Sequence, residues 1–203
     1  MPNRSKKIIF GVDEVGRGPL AGPVMACAIV QVKSQKSKVK IASQKSKIRD
    51  SKKLSARQRE EIYNFLKKNP EAQWGIGKVS EKVIDKINIL QATKLAMIKA
   101  VLALEKKINK QADMLLIDGN FGIGLKRPQQ SIIKGDEKIF LISLASIIAK
   151  VERDRLMQKM HKKYPQYGFN NHKGYGTKQH YQAITQHGIC LIHRKSFNLK
   201  IKK

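Results

Sequence analysis

The chain is short of acid. Its 203 residues hold 15 Asp plus Glu against 42 Lys plus Arg, for a formal net charge of +27 and a pI near 10.2. It is equally short of cysteine, with Cys27 and Cys190 alone. Two unspaced cysteines exclude both a disulfide framework and a zinc site, and they fit a reducing cytosol. The N-terminus lacks the apolar core of a signal peptide, and no apolar run approaches membrane-spanning length, so a cytoplasmic protein with no membrane contact is expected. Neither a heptad pattern nor an exposed apolar strip is present, and a monomer is expected.

Folded character is nonetheless clear. Hydrophobic residues make up 41% of the chain, enough for one sizeable core in one domain spanning residues 1–203. The run Lys7 to Asp13 is apolar and β-prone, and Val24 to Val32 reads as a second strand joined to it as a hairpin through a turn rich in Gly and Pro. Residues 33–49 are basic and of low complexity, with Ser34-Gln-Lys-Ser-Lys38 recurring at Ser43–Lys47; with little to bury, this insert is expected to form a mobile hairpin extension or a loop. A capping box at Ser55–Gln58 opens a helix towards Lys68. Ala72 to Val79 reads as a strand. Ser80 to about Ile108 reads as a helix with a break near Ile87-Asn88. Asp113 to Asp118 and Gln130 to Ile133 read as strands, Ile139 to about Lys163 as a long helix, and Thr177 to His187 as another. Strands followed by helices alternating with strands imply an α/β fold: a mixed β-sheet flanked by helices, with a small helical C-terminal part.

The charge makes nucleic acid the leading partner. A surface that meets phosphate should avoid acids, so the acids that fall in glycine-flanked, apolar-bordered positions need a reason. Asp13 and Glu14 lie ahead of Gly16-Arg-Gly-Pro19. Asp118 ends the apolar run Met114–Ile117. Asp136 sits in Lys134-Gly-Asp136. Carboxylates kept on a phosphate-facing surface point to divalent cations and phosphodiester chemistry. Adjacent residues on a strand face opposite ways, so Asp13 and Glu14 share one ion only where the strand bends or the two serve different sides of a site.

Other residues carry weaker signals. The glycines of Gly16-Arg17-Gly18 expose main-chain groups to a ligand, and Arg17 offers a phosphate fork. Lys52 follows Asp50-Ser51 as a phosphate contact. Ser146 and Lys150, at i and i+4, share a helix face expected near nucleic acid. Arg153 and Asp154 are expected to form a buried or cap-like ion pair that holds the helix. The five histidines lack zinc-ligand spacing and read as surface or structural, with His172 the nearest to substrate.

Taken together these segments resemble ribonuclease HII, the type 2 ribonuclease H family. The matching runs, in the family's order, are Asp13-Glu-Val-Gly-Arg-Gly-Pro-Leu-Ala-Gly-Pro-Val24, Asp50–Ser55, Ile117-Asp-Gly-Asn120, Lys134-Gly-Asp136, Ala145–Asp154, His172–Thr177 and His193–Phe197. The resemblance spans about Lys7 to Phe197. It implies an RNase H-like fold and a catalytic, metal-holding set of Asp13, Glu14, Asp118 and Asp136, served by two Mg²⁺ or Mn²⁺ ions roughly 4 Å apart. It further implies hydrolysis of the RNA strand of RNA–DNA hybrids. Cutting at single ribonucleotides in duplex DNA is implied too, leaving 3′-hydroxyl and 5′-phosphate ends. Gly16, Arg17 and Gly18 would read the 2′-hydroxyl, largely through backbone. Tyr175 would stack on the sugar of the next deoxynucleotide. The rival type 3 family carries Gly-Lys-Gly in that turn and an additional N-terminal domain; with Gly16-Arg17-Gly18 here and the acidic motif starting at Asp13, the type 2 family is the one expected. The alternative from another class is a non-catalytic basic RNA-binding protein of ribosomal type. It offers no reason for four acids set among glycines and buried strands.

Overall fold

The computed structural model describes residues 7–31 and 54–199; the basic insert 33–49 and Lys52 lie outside them. Five strands form one sheet in the order β3-β2-β1-β4-β5. β1 (Ile9–Val15) pairs antiparallel with β2 (Val24–Gln31), which pairs antiparallel with β3 (Ala72–Val79). On its other edge β1 runs parallel to β4 (Met114–Asp118), and β4 runs parallel to β5 (Gln129–Ile132). The expected hairpin and mixed sheet are both present.

Strand alternation sorts the core into two layers. From β1 and β2, Phe10, Val12, Val24, Ala26, Ala28 and Val30 face a long helix, α2 (Glu81–Ile108). Cys27 and Ile29 face the opposite way, towards α1 (Ala56–Lys68) and α4 (Phe140–Lys163). α1 carries the expected capping box, Ser55 receiving the Gln58 amide and Gln58 receiving the Ser55 amide. Its face of Ile62, Tyr63 and Leu66 is buried; each such side chain stabilises by about 1.5–3 kcal/mol relative to exposure.

α2 crosses β3 at two glycines. A methyl group at Gly77 would sit 1.9 Å from the Ala96 carbonyl oxygen, and one at Gly75 would sit 2.4 Å from that of Ala100. The helix lies this close only because neither position has a side chain. α2 breaks at Asn88 (φ 63°), whose side chain accepts the Gln91 amide at 3.1 Å and so recaps the second segment. An 18-residue window of α2 has mean hydropathy 1.5, long and apolar enough to cross a membrane. The sequence expectation that no run reaches such a length is therefore corrected. Its apolarity has a local cause: Ala92, Ala96, Met97, Ala100, Val101 and Leu104 are buried in the sheet's core layer. Glu105 near its end accepts from Arg127 at 3.1 and 3.3 Å and from the Ala112 amide at 3.0 Å, tying down the segment that leads to β5.

The short α3 (Gly135–Lys138) precedes α4. A 3₁₀ turn (Pro165–Tyr167), α5 (Phe169–His172) and α6 (Lys178–His187) form the small C-terminal part, with its own apolar cluster around Tyr167, Phe169, Met157 and Ile184.

Candidate active site

β1 is parallel-paired with β4 only from Ile9 to Val12, whereas its pairing with β2 continues to Val15. Asp13 and Glu14 therefore lie past the last β4 partner, at the carboxyl end of the strand. Asp118 is the last residue of β4. Crevices at the carboxyl ends of parallel strands are where open α/β sheets bind ligands. Here carboxylate oxygens of Asp13, Glu14 and Asp118 all lie within 4.8 Å of one another. Although Asp13 and Glu14 are adjacent on β1, both carboxylates reach one group at this strand end, which keeps its β2 partners but has no β4 partner.

The group is held by its surroundings. Ser146 on α4 hydrogen-bonds Asp13. The Glu14 amide donates to Asp13 Oδ1 at 2.7 Å, and the Gly135 amide donates to Asp118 Oδ1 at 2.6 Å. Asp136, next to Gly135, is buried but lies outside the 4.8 Å group; Ser143 Oγ donates to its main-chain oxygen. Arg17 reaches Glu14 Oε1 at 3.4 Å and sits 5.7 Å from the Phe121 ring centroid.

These acids are poorly neutralised. Burial, then the Glu14 and Asp118 charges, push the Asp13 carboxyl well above its usual range. Burial also raises Glu14, against the opposing pull of Arg17. Glu14 Oε2 is buried with no hydrogen-bond partner among the described residues. Clustered carboxylates with an orphaned oxygen and raised proton affinity fit a hard divalent cation, which takes such oxygens as ligands.

The Gly16–Gly18 turn abuts this group. Gly16 is in the left-handed region (φ 89°), and a methyl on it would meet Arg153 Nε at 2.2 Å. Arg17 and Gly18 are exposed. A methyl on Gly18 would lie 3.7 Å from Tyr175 Cε1, so the structure brings Tyr175 beside the turn. Tyr175 is 41% exposed. Its loop is zipped to the turn by the Leu20 amide donating to the Gly174 oxygen at 2.8 Å.

Ser146 and Lys150 share a half-buried stripe of α4, but Lys150 Nζ is 2.8 Å from Asp154 Oδ1. The expected Arg153–Asp154 pair is thus corrected: neighbours on a helix diverge, and Asp154 pairs one turn back. Arg153 instead donates to the carbonyls of Ala21 and Pro23 at 3.1 Å and of Lys173 at 3.0 Å.

His172 is likewise not at a ligand-facing surface. It is buried and stacked on His180 at 4.5 Å between ring centroids. Its Nδ1 accepts the Gly174 amide, so its Nε2 donates to Tyr167 O at 2.7 Å. His180 Nδ1 donates to Tyr175 O at 2.9 Å, His193 Nε2 donates to His180 Nε2 at 3.1 Å, and His193 Nδ1 accepts the Cys190 amide at 2.9 Å. These tautomers follow from the network, in which all three rings are neutral.

Sequence reasoning gave no role to Phe121 or Arg194. Phe121 was within reach, as the aromatic that follows Asp118-Gly-Asn120. Arg194 was not, because its partners are main-chain oxygens far away in sequence.

The fold and site define a nuclease of the RNase H class, built to work with divalent metal. The family model "Ribonuclease HII" matches residues 10–200. A ribonuclease HII of Chlamydia trachomatis serovar A is 49% identical over 190 residues, covering 94% of this chain and 82% of that protein. One from Pelodictyon phaeoclathratiforme is 46% identical, covering 95% and 90%. The crystal structure of ribonuclease H2 from Pyrococcus horikoshii OT3 superposes with a TM-score of 0.72 at 27% identity, covering 95% and 94%. The chain belongs to the ribonuclease HII family, and is a metal-dependent endoribonuclease.

Proposed function

We propose that this chain hydrolyses the RNA strand of RNA–DNA hybrids and cuts on the 5′ side of single ribonucleotides embedded in duplex DNA, leaving 3′-hydroxyl and 5′-phosphate ends. The observation that carries the reading is the three-carboxylate group of Asp13, Glu14 and Asp118 lying against the Gly16–Gly18 turn and Tyr175. Asp13, Glu14 and Asp118, with Asp136 completing the set, are the residues that would hold two Mg²⁺ or Mn²⁺ ions. Such ions supply an activated water and offset the charge that develops on the leaving 3′-oxygen.

The chain's own residues do the rest. Ser146 and the Gly135 amide orient Asp13 and Asp118, so that their carboxylates are held in a fixed direction. The exposed main chain of Arg17 and Gly18 reads the 2′-hydroxyl, the group that distinguishes RNA from DNA. Arg17, held between Glu14 and Phe121, meets the phosphate beside the scissile bond. Tyr175 packs on the sugar of the following deoxynucleotide and selects the RNA–DNA junction. Lys52 and Lys150 add phosphate contacts, and the large positive charge draws the duplex in with steep salt dependence.

The test uses an end-labelled RNA strand annealed to DNA, with the same RNA annealed to RNA and the same DNA duplex as controls, in Mg²⁺ or Mn²⁺. Cleavage confined to the hybrid, with ends that a ligase rejoins without prior phosphorylation, is the expected result. Binding to all three without cleavage would instead favour a non-catalytic basic RNA-binding protein.

A further inference from the structure

Arg194 is wholly buried, and among the described residues each hydrogen bond its guanidinium makes goes to a main-chain oxygen. Nε donates to Gly22 O at 2.9 Å and Nη1 to Arg17 O at 2.8 Å. Nη2 donates to Gly16 O at 2.6 Å and to Gly22 O at 2.7 Å. The Phe197 ring covers the group at 5.0 Å. Among the described residues no carboxylate lies within ion-pair distance. Burial, and secondarily the Arg153 charge, pull this guanidinium down to about 9. A buried cation without an ion-pair partner is expensive, and this one is spent on a single turn.

The direction of those bonds fixes what the turn shows to solvent. The peptides of Gly16–Arg17 and Arg17–Gly18 are trans, and in a trans peptide the N–H points opposite to the C=O. Arg194 draws the Gly16 and Arg17 oxygens inward, so the Arg17 and Gly18 N–H groups point outward. Both residues are exposed, and neither amide donates to a protein acceptor among the described residues. The turn has no slack, since Arg153 lies directly under Gly16.

We propose that Arg194 is a positioning residue for ribose discrimination: by clamping the Gly16 and Arg17 carbonyls from beneath, it aims the Arg17 and Gly18 amides at the 2′-hydroxyl. The inference rests on the reading above that this turn recognises the ribose. Lysine cannot replace it, because an ammonium is a point donor and cannot fork across three carbonyls.

The experiment measures binding by fluorescence anisotropy in Ca²⁺, for a duplex with one ribonucleotide and for the same duplex of DNA alone. Parent, Arg194→Lys and the remote Arg127→Ala are compared. Each ratio comes from one preparation, so any inactive fraction cancels. The parent should favour the ribonucleotide. Arg194→Lys should lose about tenfold of that preference, the scale of one misaligned hydrogen bond, with all-DNA affinity unchanged. Arg127→Ala should lower Tm and leave the ratio alone. An unchanged ratio in Arg194→Lys, or an equal fall on both duplexes, overturns the positioning role. A parent without any preference overturns the ribose-reading turn itself, and the clamp with it.

Discussion

Arg17 lies 3.4 Å from Glu14, yet the Glu14 carboxyl remains raised above its usual range, because burial outweighs the guanidinium. The site thus stores repulsion. Asp13 adds to it, raised by burial and by the Glu14 and Asp118 charges.

Removing one charge should relieve that repulsion. Asp118→Asn is expected to stabilise the metal-free protein at neutral pH by on the order of 1 kcal/mol, or about 2–4 °C in Tm for a chain of this size, while abolishing cleavage. The pH trend has a definite sign. Folded carboxyls with raised proton affinity keep protons that the unfolded chain gives up, so their contribution falls as pH rises from the ordinary carboxylate range through the raised one. Thermal melts in chelator and in Mg²⁺ check this: Mg²⁺ should raise the parent's Tm and leave Asp118→Asn nearly unmoved. A mutant less stable than the parent in chelator would contradict it.

The histidine chain gives the opposite slope. Burial pulls His180 down to about 4, and lowers His172 and His193 as well. The unfolded imidazoles take up protons near pH 6.5 that the folded ones refuse. Their stabilisation is therefore complete above about pH 6.5 and is lost as pH falls towards 4. A second proton on His180 would set two N–H groups face to face across the 3.1 Å contact with His193. Ring-proton NMR titration should find His180 still neutral at pH 5.5; an ordinary midpoint near 6.5 would refute the network.

Tyr175 is exposed and contributes little to the core. Tyr175→Ala should shift Tm by no more than about 2 °C, within the usual range for surface changes. It should slow cutting at isolated ribonucleotides by tenfold or more, about the energy of one stacking contact. Parallel melts and single-turnover assays decide; equal rates for parent and mutant would remove Tyr175 from the substrate.

Arg153 should behave as a keystone. Arg153→Met would strand the oxygens of Ala21, Pro23 and Lys173, each an unsatisfied group worth about 1–3 kcal/mol. Urea melts should show a loss of at least about 3 kcal/mol; a loss below 1 kcal/mol would mean that water replaces the side chain.

The strands, the Ser55 cap and the break at Asn88 were legible because each depends on neighbours in sequence: alternation, a three-residue reciprocal bond, an asparagine tolerant of positive φ. The four acids were legible as a set through the resemblance, while the meeting of Asp13, Glu14 and Asp118 where β1 runs on past its last β4 partner was not. Arg153 was misassigned because adjacency was taken for contact, although helix geometry favours the Lys150–Asp154 spacing. Arg194 and the His180–His193 contact join segments brought together only by the fold, and their partners are backbone atoms or rings that leave no local pattern.

The most direct test of the account sets parent and Asp118→Asn against an end-labelled DNA duplex carrying one ribonucleotide, in Mg²⁺, in Mn²⁺ and in chelator. The account predicts a single cut immediately 5′ of the ribonucleotide, dependent on metal and absent from the mutant. Metal-independent cutting, or a mutant as active as the parent, would contradict it.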